Sequence, residues 1–107
     1  MVRMTAETAI HLALRDELQR DARVFLMGEG MATKHPDLVR DFGADRVRNT
    51  PLAEAIIAGT AVGAAASGLR PVIDLLFAPF LAYAMVALVN SAGKLRYLSG
   101  GQFRFPL

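Results

Sequence analysis

The stretch Val24-Phe25-Leu26-Met27-Gly28-Glu29-Gly30 decides the fold. A short, continuous apolar run that stops at a glycine pair reads as a strand buried on both faces, the pattern of a parallel sheet. Upstream of it, residues 5–19 predict a helix with Thr5 as its cap, Ile10, Ala13, Leu14 and Leu18 on one face and Arg15, Asp16 and Arg20 on the other. Downstream, Pro36 to Phe42 predicts a short helix ended by Gly43, and Arg46-Val47-Arg48-Asn49 a weak strand. Thr50-Pro51 predicts the start of a further helix, a hydroxyl cap followed by proline at the first helical position, running to Ser67 and stopping at Gly68. Val72-Ile73-Asp74-Leu75-Leu76 is the expected third strand. Pro79 should open a helix that reaches Tyr97, and Phe103-Arg104-Phe105-Pro106-Leu107 the beginning of a fourth strand. Strands alternating with helices argue for an α/β fold with a parallel sheet and right-handed crossovers.

Composition narrows the function. The chain has 107 residues, enough for one domain, and 53% of them are hydrophobic, which excludes a disordered segment. The absence of cysteine excludes a disulfide scaffold, a thiolate zinc site and a cysteine nucleophile. A net charge of +2 without a basic stripe interleaved with aromatics argues against nucleic acid as a partner. Of the 22 charged side chains, 16 fall in residues 1–50 and 6 in residues 51–107, so the apolar second half needs a cover: the first half, a partner chain or lipid. The start carries neither an apolar core nor an Arg/Ser-rich leader, so a cytoplasmic location is expected. The end at Phe105-Pro106-Leu107 would leave a strand unfinished, so residues 1–107 are expected to be the N-terminal part of a longer polypeptide. A competing reading is a small membrane protein with two apolar segments, residues 51–69 and 71–92. Against it, the apolar run 75–89 has 15 residues, short of the roughly 20 needed to span, and Glu54 and Asp74 would be costly at depth.

Glu54 is the most informative single position. It belongs to the first turn of a helix that follows a strand, on the side of a parallel sheet where ligands bind. Apolar neighbours Leu52, Ala53, Ala55, Ile56 and Ile57 should desolvate its carboxylate and suit it to trading a proton. The plainer alternative is an acid favoured by the helix dipole. Glu29, between Gly28 and Gly30, sits at a strand end on the same side; the lone glycine pair opens neither a dinucleotide fingerprint nor a phosphate loop, so a solvated loop acid is the plainer reading. Gly59 and Gly63 leave a helix surface with little bulk, fit for close approach of another helix or for a membrane pair. Phe77 and Phe80 flank Pro79 at a strand-to-helix junction, where aromatics either stack on a flat ring or fill a core. His11 and His35 have no ligand at metal spacing.

Taken together, Asn49-Thr50-Pro51-Leu52-Ala53-Glu54, the run from Ala58 to Ala65, Gly68-Leu69-Arg70-Pro71, Phe80, Asn90-Ser91-Ala92-Gly93-Lys94 and the run from Tyr97 to Gln102 resemble one family. It is the beta subunit of the thiamine-diphosphate-dependent decarboxylating component of 2-oxo acid dehydrogenase complexes, of pyruvate, branched-chain and acetoin types. The segment from Arg23 to Glu29 is similar to that family's first strand. The resemblance implies a transketolase-like pyrimidine-binding domain, incomplete at its C-terminus. It implies that Glu54 hydrogen-bonds the aminopyrimidine of thiamine diphosphate and promotes its activation, that Phe80 lies against that ring, and that Glu29 is an acid near the same site. The diphosphate and its magnesium would be held by an alpha subunit, in an alpha/beta heterotetramer docked on a lipoyl-bearing acyltransferase core. The implied reaction is oxidative decarboxylation of a 2-oxo acid with acyl transfer to lipoyl groups. Three departures stand out: a short segment between Glu29 and Asn49, Val86-Ala87 where the family has a polar pair, and an end midway through the domain. Residues 1–107 alone are therefore expected neither to bind the cofactor tightly nor to catalyse, and a non-catalytic remnant remains the third reading.

Overall fold

The computed structural model describes residues 3–107; Met1 and Val2, at the expected leader-free start, lie outside the described residues. Helix α1, Ala6–Arg20, begins as expected, with Thr5 Oγ1 accepting the backbone N–H of Thr8. It leads to β1, Val24–Gly28, whose burial is nearly continuous, as the apolar run requires. Two short helices follow, α2, Met31–Lys34, and α3, Pro36–Phe42, then β2, Val47–Asn49. Helix α4 is Glu54–Ala66 and β3 is Arg70–Asp74. A 3-10 turn, Ala78–Phe80, runs into α5, Leu81–Met85, a π-helical segment, Val86–Ala92, and α6, Gly93–Leu98.

The sheet is parallel with order β2-β1-β3, Leu26 standing opposite both Val47 and Val72. From β1 the chain moves one way to β2 and then back across to β3. Right-handed crossovers in opposite directions put their helices on opposite faces. On one face, Leu18, Val24, Leu26, Met31, Leu38 and Val47 form the core, with Leu14, Val39, Phe42 and Val72 packed against it. The alternate residues of the strands turn to the other face, where α4 packs on β3 and the α5–π segment packs on α4. Helix α4 contributes Ile57, Ala58, Ala61, Val62 and Ala65 to the interior.

The end of the sheet opposite the loop after β1 is tied by one arginine. Arg46 donates to the carbonyls of Val24, Leu18 and Asp21 at 2.9, 2.8 and 2.7 Å, and its guanidinium lies 5.6 Å from the Phe42 ring centre. Beside it, the Asp21 carboxylate binds Arg23 and Arg70, and the Arg23 guanidinium holds it far below the usual carboxylate range.

Several boundaries differ from expectation. The helix expected at Thr50-Pro51 starts at Glu54, with Ala53 at its cap position. Thr50 is still engaged by the sheet: its N–H donates to the Gly28 carbonyl at 3.0 Å, so the chain needs three more residues to turn. The third strand is shifted to Arg70–Asp74 because Asp74 Oδ1 accepts the N–H of Leu76 and Leu76 takes a left-handed φ of 65°. Residues 103–107 form no strand. They run past β3, sharing clefts with it, and Pro106 lacks the N–H a ladder would use. Close approach at Gly59 and Gly63 is not used within the chain, since nothing among the described residues lies within 4 Å of a Cβ added at either.

The two-segment membrane pattern also changes. Segment 51–69 forms only the 13 residues of α4, about 20 Å of helix, and segment 71–92 is divided between β3 and the helix that follows. One continuous helical stretch, Ala78–Leu98, is long and apolar enough to cross a membrane by length and composition.

Candidate functional site

In a parallel sheet, a crevice opens at the carboxyl ends of strands whose outgoing connections leave toward opposite faces. Here β1 leaves into α2 and α3 on the core-cluster face, while β2 and β3 both leave toward α4. The crevice therefore lies at the end of β1, and each sequence-predicted residue sits on a connection that emerges there. Glu29 follows β1, Glu54 opens α4 after β2, and Phe80 ends the 3-10 turn after β3.

The glycines around Glu29 are needed by the backbone. A Cβ on Gly28 would stand 2.5 Å from the Asp74 carbonyl oxygen, so β1 and β3 approach closely only because residue 28 has none. Gly30 has φ 65° and caps α2, a conformation that favours glycine. Between them Glu29 is half-buried, and among the described residues its carboxylate has no hydrogen-bond partner. The connection is then pinned by Asn49, whose Oδ1 accepts the N–H of Ala32 at 2.7 Å and whose Nδ2 donates to Thr33 Oγ1 at 3.1 Å.

Glu54 is half-buried in the first turn of α4. The apolar shell expected around it is not closed, because Leu52 and Ile56 are 64% and 70% exposed. Ile57 and Ala58, one turn inward, are buried. Four residues earlier, Thr50 Oγ1 is buried and, among the described residues, has no hydrogen-bond partner. An orphaned hydroxyl of this kind costs about 1–3 kcal/mol.

Phe80 is half-buried between Phe77 and Tyr83: the Phe77 ring meets it edge-on at 5.7 Å and 85°, and the Tyr83 ring is tilted at 6.4 Å. Both neighbours are about two-thirds exposed, so the trio is an open aromatic shelf rather than a filled core. Just before it, Leu76 holds a left-handed φ that is uncommon for a branched residue. Such backbone persists where the surroundings impose it and clusters at ligand sites. Asp74, at the end of β3, is bonded by Lys34 from α2. Burial pushes the Asp74 carboxyl up, but Lys34 and the Leu76 N–H outweigh it and leave the group below its ordinary value.

A cleft of about 640 Å³ opens at the same end of β3, lined by Leu75, Phe77, Leu81, Leu88 and Phe105 among others, but it does not include Glu29, Glu54 or Phe80. The structure thus brings the three residues to one edge of the sheet without enclosing them in a single pocket. Val86, expected at a departure from the family pattern, is 71% exposed at the start of the π segment. Sequence reasoning missed one cluster. His11 and His35 meet between α1 and α3, with Asp37 and Arg15. Among the described residues no group of His, Asp or Glu is arranged to hold a metal ion.

Residues 3–107 match the transketolase pyrimidine-binding domain family. Among curated proteins, the chain is 40% identical over 105 residues to the 2-oxoisovalerate dehydrogenase subunit beta of Bacillus subtilis, covering 92% of this chain and 32% of that protein. It is 41% identical over 112 aligned positions to the pyruvate dehydrogenase E1 component subunit beta of Rickettsia bellii, covering 99% and 34%. To the mitochondrial pyruvate dehydrogenase E1 component subunit beta of Dictyostelium discoideum it is 39% identical, covering 97% and 31%. The chain therefore spans about a third of the length of the curated relatives it matches.

Proposed function

Because the chain belongs to the transketolase pyrimidine-binding domain family, we propose that it forms the cofactor-facing part of a beta subunit in a 2-oxo acid dehydrogenase, and that Glu54 is its catalytic acid. Its curated relatives are beta subunits of pyruvate and branched-chain enzymes, which supports the general role. The observation that carries the assignment is the edge of the sheet after β2, where a half-buried carboxylate follows a buried hydroxyl at Thr50 that has no hydrogen-bond partner among the described residues.

Those two groups suit the polar edge of thiamine diphosphate. The Glu54 carboxylate would bond the aminopyrimidine and hold or release a proton at its Oε atoms, while Thr50 Oγ1 takes a hydrogen bond it otherwise lacks. Phe80 offers a face for the pyrimidine ring, and Glu29 lines the approach from β1. When bound, the cofactor would supply the nucleophile and the electron sink needed for decarboxylation of a 2-oxo acid. An alpha subunit would provide the diphosphate and magnesium site and cover Leu52 and Ile56, closing the apolar shell around Glu54. Desolvation would then favour the protonated acid. A second beta subunit, a lipoyl acyltransferase core and a cytoplasmic setting complete the reading.

The test is assembly with an alpha subunit. In the complete alpha/beta enzyme, Glu54→Gln should lower turnover by a factor on the order of 10²–10⁴ with assembly intact. Near-normal turnover in that variant would remove Glu54 from the chemistry. Assembly without turnover in the unmodified chain would favour the non-catalytic remnant.

A further inference from the structure

We propose that His11 and His35 form an acid-opened latch between α1 and the junction of α2 with α3, one that holds a single proton and releases on the second. The geometry is specific. His11 Nδ1 and His35 Nδ1 are 2.9 Å apart, and His11 Nε2 lies 3.0 Å from Asp37 Oδ2. A carboxylate only accepts, so His11 Nε2 carries a hydrogen and donates it to Asp37. With both rings neutral, His35 Nδ1–H then donates to the His11 Nδ1 lone pair.

One added proton leaves the latch shut. It binds at His35 Nε2, the Nδ1 hydrogen passes to His11, and His11 Nδ1–H now donates to His35 Nδ1. The charge rests on His11, next to Asp37. A second proton leaves no lone pair between the two facing nitrogens and sets two cations with ring centres 5.0 Å apart. The bond then gives way.

The surroundings fit this order. From α1, Arg15 donates to Asp37 at 2.6 Å and to Asp41 at 2.8 Å, and Arg40 of α3 shares Asp41. Glu7, a turn before His11, lines one cleft with His35, Lys34 and Asp74. Burial, then the charges of His11 and Lys34, push His35 below its ordinary value, against weaker support from Asp37 and Asp74. A depressed histidine favours the neutral form in the folded chain. Its contribution to stability is therefore full above the unfolded value of about 6.5 and is lost as pH falls toward the folded value.

The segment that opens begins at Gly30, directly after Glu29, and keeps its other ties: Lys34 to Asp74, Asn49 to Ala32 and Thr33, and Arg15 to Asp37 and Asp41. The latch thus governs the far end of a connection whose near end lies at the crevice.

The experiment follows the two imidazoles by NMR in the 107-residue chain from pH 8 to 5, with amide hydrogen exchange at the same points. Two macroscopic steps belonging to the pair are expected. At the lower one, amides of residues 8–15 and 31–39 should exchange about tenfold faster while residues 57–65 stay unchanged. His35→Asn, which keeps a polar group near the Nδ1 position but takes no second proton, should abolish the lower step and its exchange response. Two ordinary, independent titrations, or exchange that ignores the lower step, would overturn the proposal. So would a rise in exchange that survives in His35→Asn; where a variant fails to fold, the unmodified chain decides by the first two readings.

Discussion

Residues 6–49 and residues 78–107 solve the same problem in opposite ways. The first region buries Leu18, Leu26, Leu38 and Val47 completely or nearly so, and ties its rim with Arg15 to Asp37 and Asp41 and with Arg46 to three carbonyls. The second buries only Ala84 among its described residues, while Tyr97, Val86 and Leu98 are 88%, 71% and 69% exposed. One region has found its partners inside the chain. The other carries the composition of an interior and the exposure of a surface, which suits a face that meets another polypeptide. The uneven charge of the sequence is the trace of this division.

The comparison can be broken hardest in the core. Leu38→Ala should cost about 2–5 kcal/mol, read as a shift of the urea midpoint, because Leu38 is fully buried beside Leu18 and Val47. An unchanged midpoint would mean that the first region is not the stable one. Arg46→Met comes next, expected at about 1.5–3 kcal/mol, since it removes three charged hydrogen bonds to backbone carbonyls.

Acid should act more gently and on the first region alone. The Asp21, Asp37 and Asp41 carboxyls are held below the usual range by Arg23, Arg15 and Arg40 respectively. Their support is present above the unfolded value of about 3.9 and is lost as pH falls through the lower folded values. Hydrogen exchange at pH 3 should accelerate in residues 6–49 more than salt-matched exchange at pH 5, after correction for intrinsic rates. The smallest effect belongs to Leu98→Ser, within about 0.5 kcal/mol in this chain by itself. Assembly with an alpha subunit would sharpen the contrast if the same substitution then weakened binding.

Legibility from sequence followed locality. Thr5 as a cap and Val24 to Gly28 as a buried strand could be read because cap chemistry and apolar runs are local. The start of α4 could not, because what delays it is a hydrogen bond from Thr50 to Gly28, 22 residues away. The glycines beside Glu29 gained their reasons only with β3 in place, when Asp74 came against Gly28. The positions of Glu29, Glu54 and Phe80 at strand ends were legible in sequence, as was a domain ending midway, but the exposure around Glu54 was not. Apolar neighbours in sequence suggested a desolvated Glu54, whereas Leu52 and Ile56 turn outward. His11 and His35 lie 24 positions apart, and no local pattern joins them.

The π-helical segment Val86–Ala92 bears on how this chain tolerates changes of length. Its wider winding stores slack inside a helix that is α-helical on either side. A one-residue deletion there can be absorbed by a return to ordinary winding, leaving the residues of α6 facing as they do now. The same deletion in α4 has no slack to draw on and would swing everything beyond it by about 100°, carrying Ala61, Val62 and Ala65 out of the interior. Insertions and deletions should therefore accumulate in the first of these helices and be absent from the second.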